Sequence, residues 1–224
     1  MVRPAACLFD LDGLLLDTEP LHAEAWQQAS SHFGRPLAPD ELLALRGRRR
    51  HDCADQVRQW ISAGGAKPAP SRDALLAVRQ PIAEALLIHA APMPGAPELV
   101  GRCDALGIPM ALATSSSKAA VAVKASPHPW LAAITVRVHG DDPHLRKGKP
   151  APDVFLLAAE RLGVDANHCW AFEDSPAGVQ SASAAGCRVH VLPPSNLNRD
   201  QRRELYPGHQ RFLSNLAEVL DELQ

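Results

Sequence analysis

Two hydrophobic rhythms run along this chain. Short apolar runs at Ala5–Phe9, Met110–Ala113, Ile134–Val138, Cys169–Phe172 and Arg188–Leu192 have the length of strands buried on both faces. Segments 151–163 and 176–186 between them read as helices, each introduced by a proline with a Ser or Asp nearby. Such alternation predicts an α/β protein whose parallel sheet is covered on both sides. The stretch from about 19 to 90 behaves differently, with helical patterns at 20–33, 39–46, 51–63 and 72–90 and no convincing strand. A helical cap at 17–91 is therefore expected as an insertion into a core made of 1–16 and 92–224. The far junction, Ala91-Pro92-Met93-Pro94-Gly95, is a stiff connector of the kind that bounds a domain. The insertion leaves from the carboxyl end of the first strand, where open α/β sheets bind ligands, so a lid over a sheet-end site is the expected geometry.

Composition narrows the class. The 224 residues carry 23 Lys plus Arg against 25 Asp plus Glu, a net charge of −2 that gives no support to nucleic acid as a partner. With 46% apolar and 21% charged residues the profile is globular rather than disordered. No run approaches the roughly 18 apolar residues of a membrane span. Acidic residues also interrupt MVRPAACLFDLDG too early for a secretory signal, so a soluble, cytoplasmic protein is expected. The five cysteines are scattered without a CxxC pair, which fits neither a zinc site nor a disulfide framework.

Four segments carry the candidate chemistry. In the first, a hydrophobic strand runs into Asp10, Asp12 and Asp17. Residues two apart in extended chain share a side, so the Asp10 and Asp12 carboxylates would meet at one strand end, a costly arrangement unless a cation lies between them. A solvated acidic turn is the plainer reading. In the second, Thr114-Ser115-Ser116-Ser117 follows a strand where a helix begins. One hydroxyl would cap that helix; four in a row suit an anion nest. In the third, Lys149 is fixed by Pro150 ahead of a helix and can aim an ammonium, although most lysines are simply solvated. In the fourth, a strand ends in Glu173-Asp174 before Ser175-Pro176-Ala177-Gly178, where acidic groups also complement the helix dipole. All four lie at carboxyl ends of strands, and a parallel sheet gathers them on one edge. Carboxylates, a hydroxyl and amide nest and one lysine together suit Mg²⁺ sharing its shell with a phosphate, that is, phosphoryl transfer.

FDLDGLLLDTE, LATSSS, KGKPAPDVF and FEDSPAGV resemble, in order, the four motifs of the haloacid dehalogenase superfamily, and the inserted helices lie where its helical-cap subfamily carries them. The resemblance covers nearly the whole chain. It implies a Rossmann-like parallel core with an all-helical cap. Asp10 is then expected as a nucleophile forming an aspartyl-phosphate, and Asp12 as the general acid and then base. Thr114, the Ser115 amide and Lys149 are expected to hold the phosphoryl oxygens, with Ser116 also at the substrate. Mg²⁺ would be bound by Asp10, the Asp12 carbonyl and Asp174, with Glu173 supporting. The family register Lys-Pro-x-Pro-Asp selects Lys149 over Lys147. Keeping both Asp12 and Asp174 favours phosphate over halide as the leaving chemistry.

MPGAPEL, HGDDPHLRKGKPAPDVFL and PSNLNRD look like the branch with pseudouridine-5′-phosphate phosphatase and small sugar-phosphate phosphatases. The segments Asp17–His22 and Arg46–Arg50 look like cap positions of β-phosphoglucomutase, which makes His22 and Arg50 candidate substrate contacts. Arg46, Arg48, Arg49 and Arg50 also read as a solvated helix start, and His22 as an exposed helix position; Trp26 reads as cap core. The expected activity is hydrolysis of a small phosphorylated metabolite by a monomer with neither nucleic acid nor membrane as partner. A phosphosugar mutase and a catalytically silent binding protein are the alternatives.

Overall fold

The computed structural model describes residues 3–45, 48, 50–65, 70–195, 197–208 and 211–224. Arg46 and Arg49 of the basic run lie outside them. In chain order the elements are β1 (Ala6–Phe9), α1 (Glu19–His32), α2 (Pro39–Ala44), α3 (Arg50–Ala63), α4 (Arg72–Leu87) and α5 (Ala96–Ala105). There follow β2 (Met110–Ala113), α6 (Lys118–Ala125), β3 (Val136–Val138), α7 (Asp153–Leu162), β4 (Cys169–Glu173), α8 (Pro176–Ala184), β5 (Arg188–Val191), α9 (Arg199–Leu205) and β6 (Arg211–Phe212). Three short 3-10 segments complete the chain. No helix among the described residues is long and apolar enough to cross a membrane.

The chain divides into two compact units, one of residues 1–17 with 91–224, the other of 18–90. The first is a six-stranded sheet in the order β3-β2-β1-β4-β5-β6, with every pairing parallel. Helices cover the sheet, and its three central strands β1, β2 and β4 are buried throughout. The expected strands all form, with shifts of one or two residues at their ends. β6 was absent from the pattern, since two residues carry no periodicity. From the central β1 the chain continues to β2 and β3 on one side and to β4, β5 and β6 on the other. The sheet therefore has a topological switch point between β1 and β4, the place where such folds bind ligands. Phe9 and Phe172 stack across these two strands with ring centroids 5.0 Å apart.

The second unit is helical, as the pattern of 19–90 predicts. α1 packs along α4, and Trp26, Ala29, Cys53, Val57, Ile61 and Leu75 form its buried core, with Trp26 4% exposed. Ser71 starts α4 by accepting the Ala74 amide at 3.1 Å.

Candidate active site

Strand register brings the four sequence segments to one edge. Cys7, Leu8 and Phe9 pair with Met110, Ala111 and Leu112 on one side, and Leu8 and Phe9 with Ala171 and Phe172 on the other. The next residues are thus Asp10 between Ala113-Thr114 and Glu173-Asp174, and the Asp10 amide donates to the Phe172 carbonyl at 3.1 Å. Lys149 comes from the segment before α7. Its ammonium donates to both the Asp10 and the Glu173 carboxylates, while the neighbouring Lys147 is exposed. The Lys149 ammonium also lies 5.2 Å from the centre of the Phe155 ring.

Glu173 is the hub of this end of the sheet. Fully buried, it takes the Lys149 ammonium on one oxygen; on the other it accepts the Ser175 hydroxyl at 3.1 Å and the Asp174 and Ser175 amides at 3.2 and 3.3 Å. Ser175 in turn caps α8 by accepting the Gly178 amide at 3.1 Å. A Cβ on Gly178 would stand 1.9 Å from the Glu173 carboxylate, so the first turn of α8 must be bare for the hub to fit. Gly140 plays the same part for the hydroxyl segment: its Cβ would meet the Ser115 carbonyl oxygen at 2.1 Å, and its amide donates to the Ser116 carbonyl at 2.8 Å.

One carboxylate oxygen from each of Asp10, Glu173 and Asp174 lies within 4.8 Å of the others, and all three residues are buried. Burial pushes the Asp10 carboxyl up to about 7, with Glu173 and Asp12 adding to the rise and Lys149 opposing it. Lys149 is pulled down by burial but held above its ordinary value by Asp10 and Glu173. The Lys149 ammonium thus meets two of three crowded carboxylates. Such a buried group of hard oxygen donors fits a divalent cation.

Asp12 does not join this group through its side chain. Its carboxylate meets a different ammonium from the one at Asp10. Past Phe9 the chain leaves the strand and turns through Gly13, whose φ is +83°, and Asp12 reaches Lys124 of α6 instead. The Lys124 ammonium lies 2.6 and 2.5 Å from the two Asp12 oxygens and 2.8 Å from the Ser116 hydroxyl, which itself donates to Asp12 at 2.7 Å. Thr114 is buried and its hydroxyl accepts the Ser116 amide at 3.1 Å, while Ser115 is exposed.

The structure thus gathers Asp10, Lys149, Glu173 and Asp174 in one cluster and Asp12, Ser116 and Lys124 in another. His22 and Arg50 belong to the helical unit and have separate partners on α4. The Arg79 guanidinium donates to the His22 ring at 2.7 Å and lies 4.8 Å over Trp26, whereas exposed Arg50 donates to Gln80 at 3.2 Å. Lys124, Arg79 and Tyr206, whose hydroxyl donates to the Asp174 carbonyl at 2.5 Å, were missed in the sequence. Lys124 lies three residues from Val121, on the same buried face of α6. All five cysteines are free and buried.

A parallel sheet with this switch-point cluster belongs to a recognisable class. The haloacid dehalogenase-like hydrolase family matches residues 4–186, and the chain is a member of that family. Among its relatives, the Arabidopsis thaliana mitochondrial (DL)-glycerol-3-phosphatase 1 is 32% identical over 196 residues, 86% of this chain; the chain spans 65% of that relative's length. Fructose-1-phosphate phosphatase YqaB of Escherichia coli is 35% identical over 82% of this chain and 94% of its own. Among solved structures, CbbY from Rhodobacter sphaeroides in complex with phosphate superposes with a TM-score of 0.78 at 26% identity, covering 96% of each chain.

Proposed function

We propose that this chain is a Mg²⁺-dependent phosphomonoesterase that hydrolyses a small sugar or polyol phosphate, or a nucleotide-like ester, through an aspartyl-phosphate on Asp10. The observation that carries this reading is the Lys149 ammonium held between Asp10 and Glu173 beside Asp174, at the switch point of the sheet. The named substrates of the relatives, glycerol 3-phosphate and fructose 1-phosphate, support the substrate class.

An Asp10 oxygen attacks phosphorus as the bond to the ester oxygen breaks, and Asp12 gives its proton to the departing oxygen. Water then attacks the aspartyl-phosphate, Asp12 takes its proton, and the Asp10 carboxylate and inorganic phosphate are released. Lys149, fixed by two carboxylates, and the Thr114 hydroxyl with the Ser115 amide hold the phosphoryl oxygens as negative charge shifts among them. Asp10, Asp174 and the Asp12 carbonyl would hold Mg²⁺, with Glu173 orienting Lys149 and the turn after β4. When bound, the ion supplies Lewis-acid neutralisation of the phosphoryl charge. His22 and Arg50 are proposed as substrate contacts.

The test is phosphate release from a panel of fructose 1-phosphate, glycerol 3-phosphate, hexose 6-phosphates and pseudouridine 5′-phosphate, with Mg²⁺ and with chelator. Release that needs the metal and is lost in Asp10→Asn supports the reading. Metal-independent release, or release that survives in Asp10→Asn, overturns it; phosphate transfer between sugar hydroxyls without release would make the protein a mutase.

A further inference from the structure

Lysines in the last turn of a helix have an ordinary role: the stem packs, and the ammonium reaches solvent near the terminal carbonyls. Lys124 departs from it. It is 1% exposed and shares the buried face of α6 with Val121, while Lys118 at the other end of the helix is exposed. Its ammonium points inward to both Asp12 oxygens and to Ser116, and Ser116 donates to Asp12 in turn, closing a triangle of three side chains. The Ser116 amide is itself tied to the Thr114 hydroxyl, so the triangle is anchored on β2, on α6 and on the turn after β1. Burying an ammonium costs several kcal/mol unless it is well paired, and an apolar residue of like size would avoid that cost.

We propose, on the phosphatase reading above, that Lys124 and Ser116 are positioning residues for Asp12. They fix the rotation of its carboxyl group so that one orientation serves both proton transfers. In the first, the ester oxygen leaves phosphorus as Asp10 bonds to it, and the Asp12 proton passes to that oxygen to give the alcohol. In the second, water bonds to phosphorus, its proton passes to Asp12, and the bond from phosphorus to Asp10 breaks to give free phosphate. The first transfer matters only for a poor leaving group. The second is needed whatever the ester was.

This asymmetry supplies the test. The full chain, Lys124→Met and Lys124→Arg are compared with Mg²⁺ on p-nitrophenyl phosphate and on the alkyl phosphate of the panel that is turned over fastest. Lys124→Met is expected to lower kcat on the alkyl ester by about 10²-fold, within the range of general acid–base catalysis, with KM nearly unchanged. On p-nitrophenyl phosphate its first turnover should keep the parent rate and later turnovers should slow, giving a stoichiometric burst of p-nitrophenolate. Lys124→Arg should recover most of the loss, and in an Asp12→Asn background Lys124→Met should cost nothing more. An equal loss on the first turnover of both esters, an unchanged alkyl rate, or a full additional loss in the Asp12→Asn background overturns the inference. Should Lys124→Met fail to fold, Ser116→Ala carries the test: a smaller loss with the same preference for the alkyl ester supports positioning, and an unselective or absent loss refutes it. A parent protein that releases phosphate from neither ester removes the phosphatase reading itself, which the variants do not address.

Discussion

Asp10 and Asp12 leave the same strand two residues apart and meet entirely different surroundings. Asp10 is buried beside Glu173, Asp174 and the Lys149 ammonium, and burial pushes its carboxyl up to about 7. Asp12 is part-exposed, with its own lysine and a serine, and its local charge is balanced. A crowded, buried carboxylate is suited to receive positive charge or a phosphoryl group. A compensated one that meets solvent is suited to exchange protons while keeping its place. On the proposed reading, environment alone sets the two roles apart, although the residue type and the strand are the same.

The comparison can be broken at several points. Asp10→Asn removes the proposed nucleophile and should lower kcat/KM by at least about 10⁴-fold in steady-state phosphate release, whereas a loss under tenfold would contradict that role. Lys149→Met strips the ammonium from the crowded side. A loss of about 10²–10³-fold is expected, comparable to removing one oxyanion donor, and it should exceed the loss from Lys124→Met. Gly178→Ala perturbs the same side without touching a charge. Its Cβ must displace the Glu173 carboxylate, so chemical denaturation should show a loss of about 1–3 kcal/mol, with a fall in kcat; an unchanged denaturation midpoint would mean that the hub yields freely.

His190 sharpens the comparison from the opposite direction, as a buried titratable group settled by being neutral. It stacks on Phe172 at 4.9 Å and lies tilted against Trp170 at 4.7 Å, and burial, aided by Arg188 and Arg211 and opposed by Glu222, depresses it to about 4. Its unfolded value is higher, so the unfolded chain binds the proton first. The stability it contributes is whole above about pH 6.5 and is lost as pH falls toward 4, about 3 kcal/mol in all. His190→Phe should remove that share of the acid sensitivity, read as the difference between parent and variant in unfolding free energy at pH 7 and pH 4. Parallel pH curves would refute the assignment.

The crowded side was legible because its residues sit at strand ends and beside prolines, where local pattern dictates geometry. Asp10, Lys149 and Glu173-Asp174 could be placed on one edge from the strand pattern alone. The Asp12 partner was not, since KAAVAVKA reads as an unremarkable alanine-rich helix and only its rotation against the sheet reveals which lysine faces inward. In the helical unit the period of 3.6 located every helix and put Trp26 in the core. It could not disclose that Arg79 is 5% exposed and bonded to His22, because that pairing depends on how α1 and α4 lie together.

The insertion of 18–90 has a consequence for biosynthesis. The Asp17 amide donates to the Ala91 carbonyl at 2.8 Å, so the two ends of the inserted segment lie side by side and the sheet is not rewired around it. Yet β1, the central strand, finds both its neighbours only after residue 109. At the usual 5–20 residues per second of translation, its apolar edges wait roughly 5–20 s for a partner. The nascent helical unit is complete about 20 residues earlier. On the ribosome, the helical segment is therefore synthesised whole while the strand that leads into Asp10 still lacks both its neighbours.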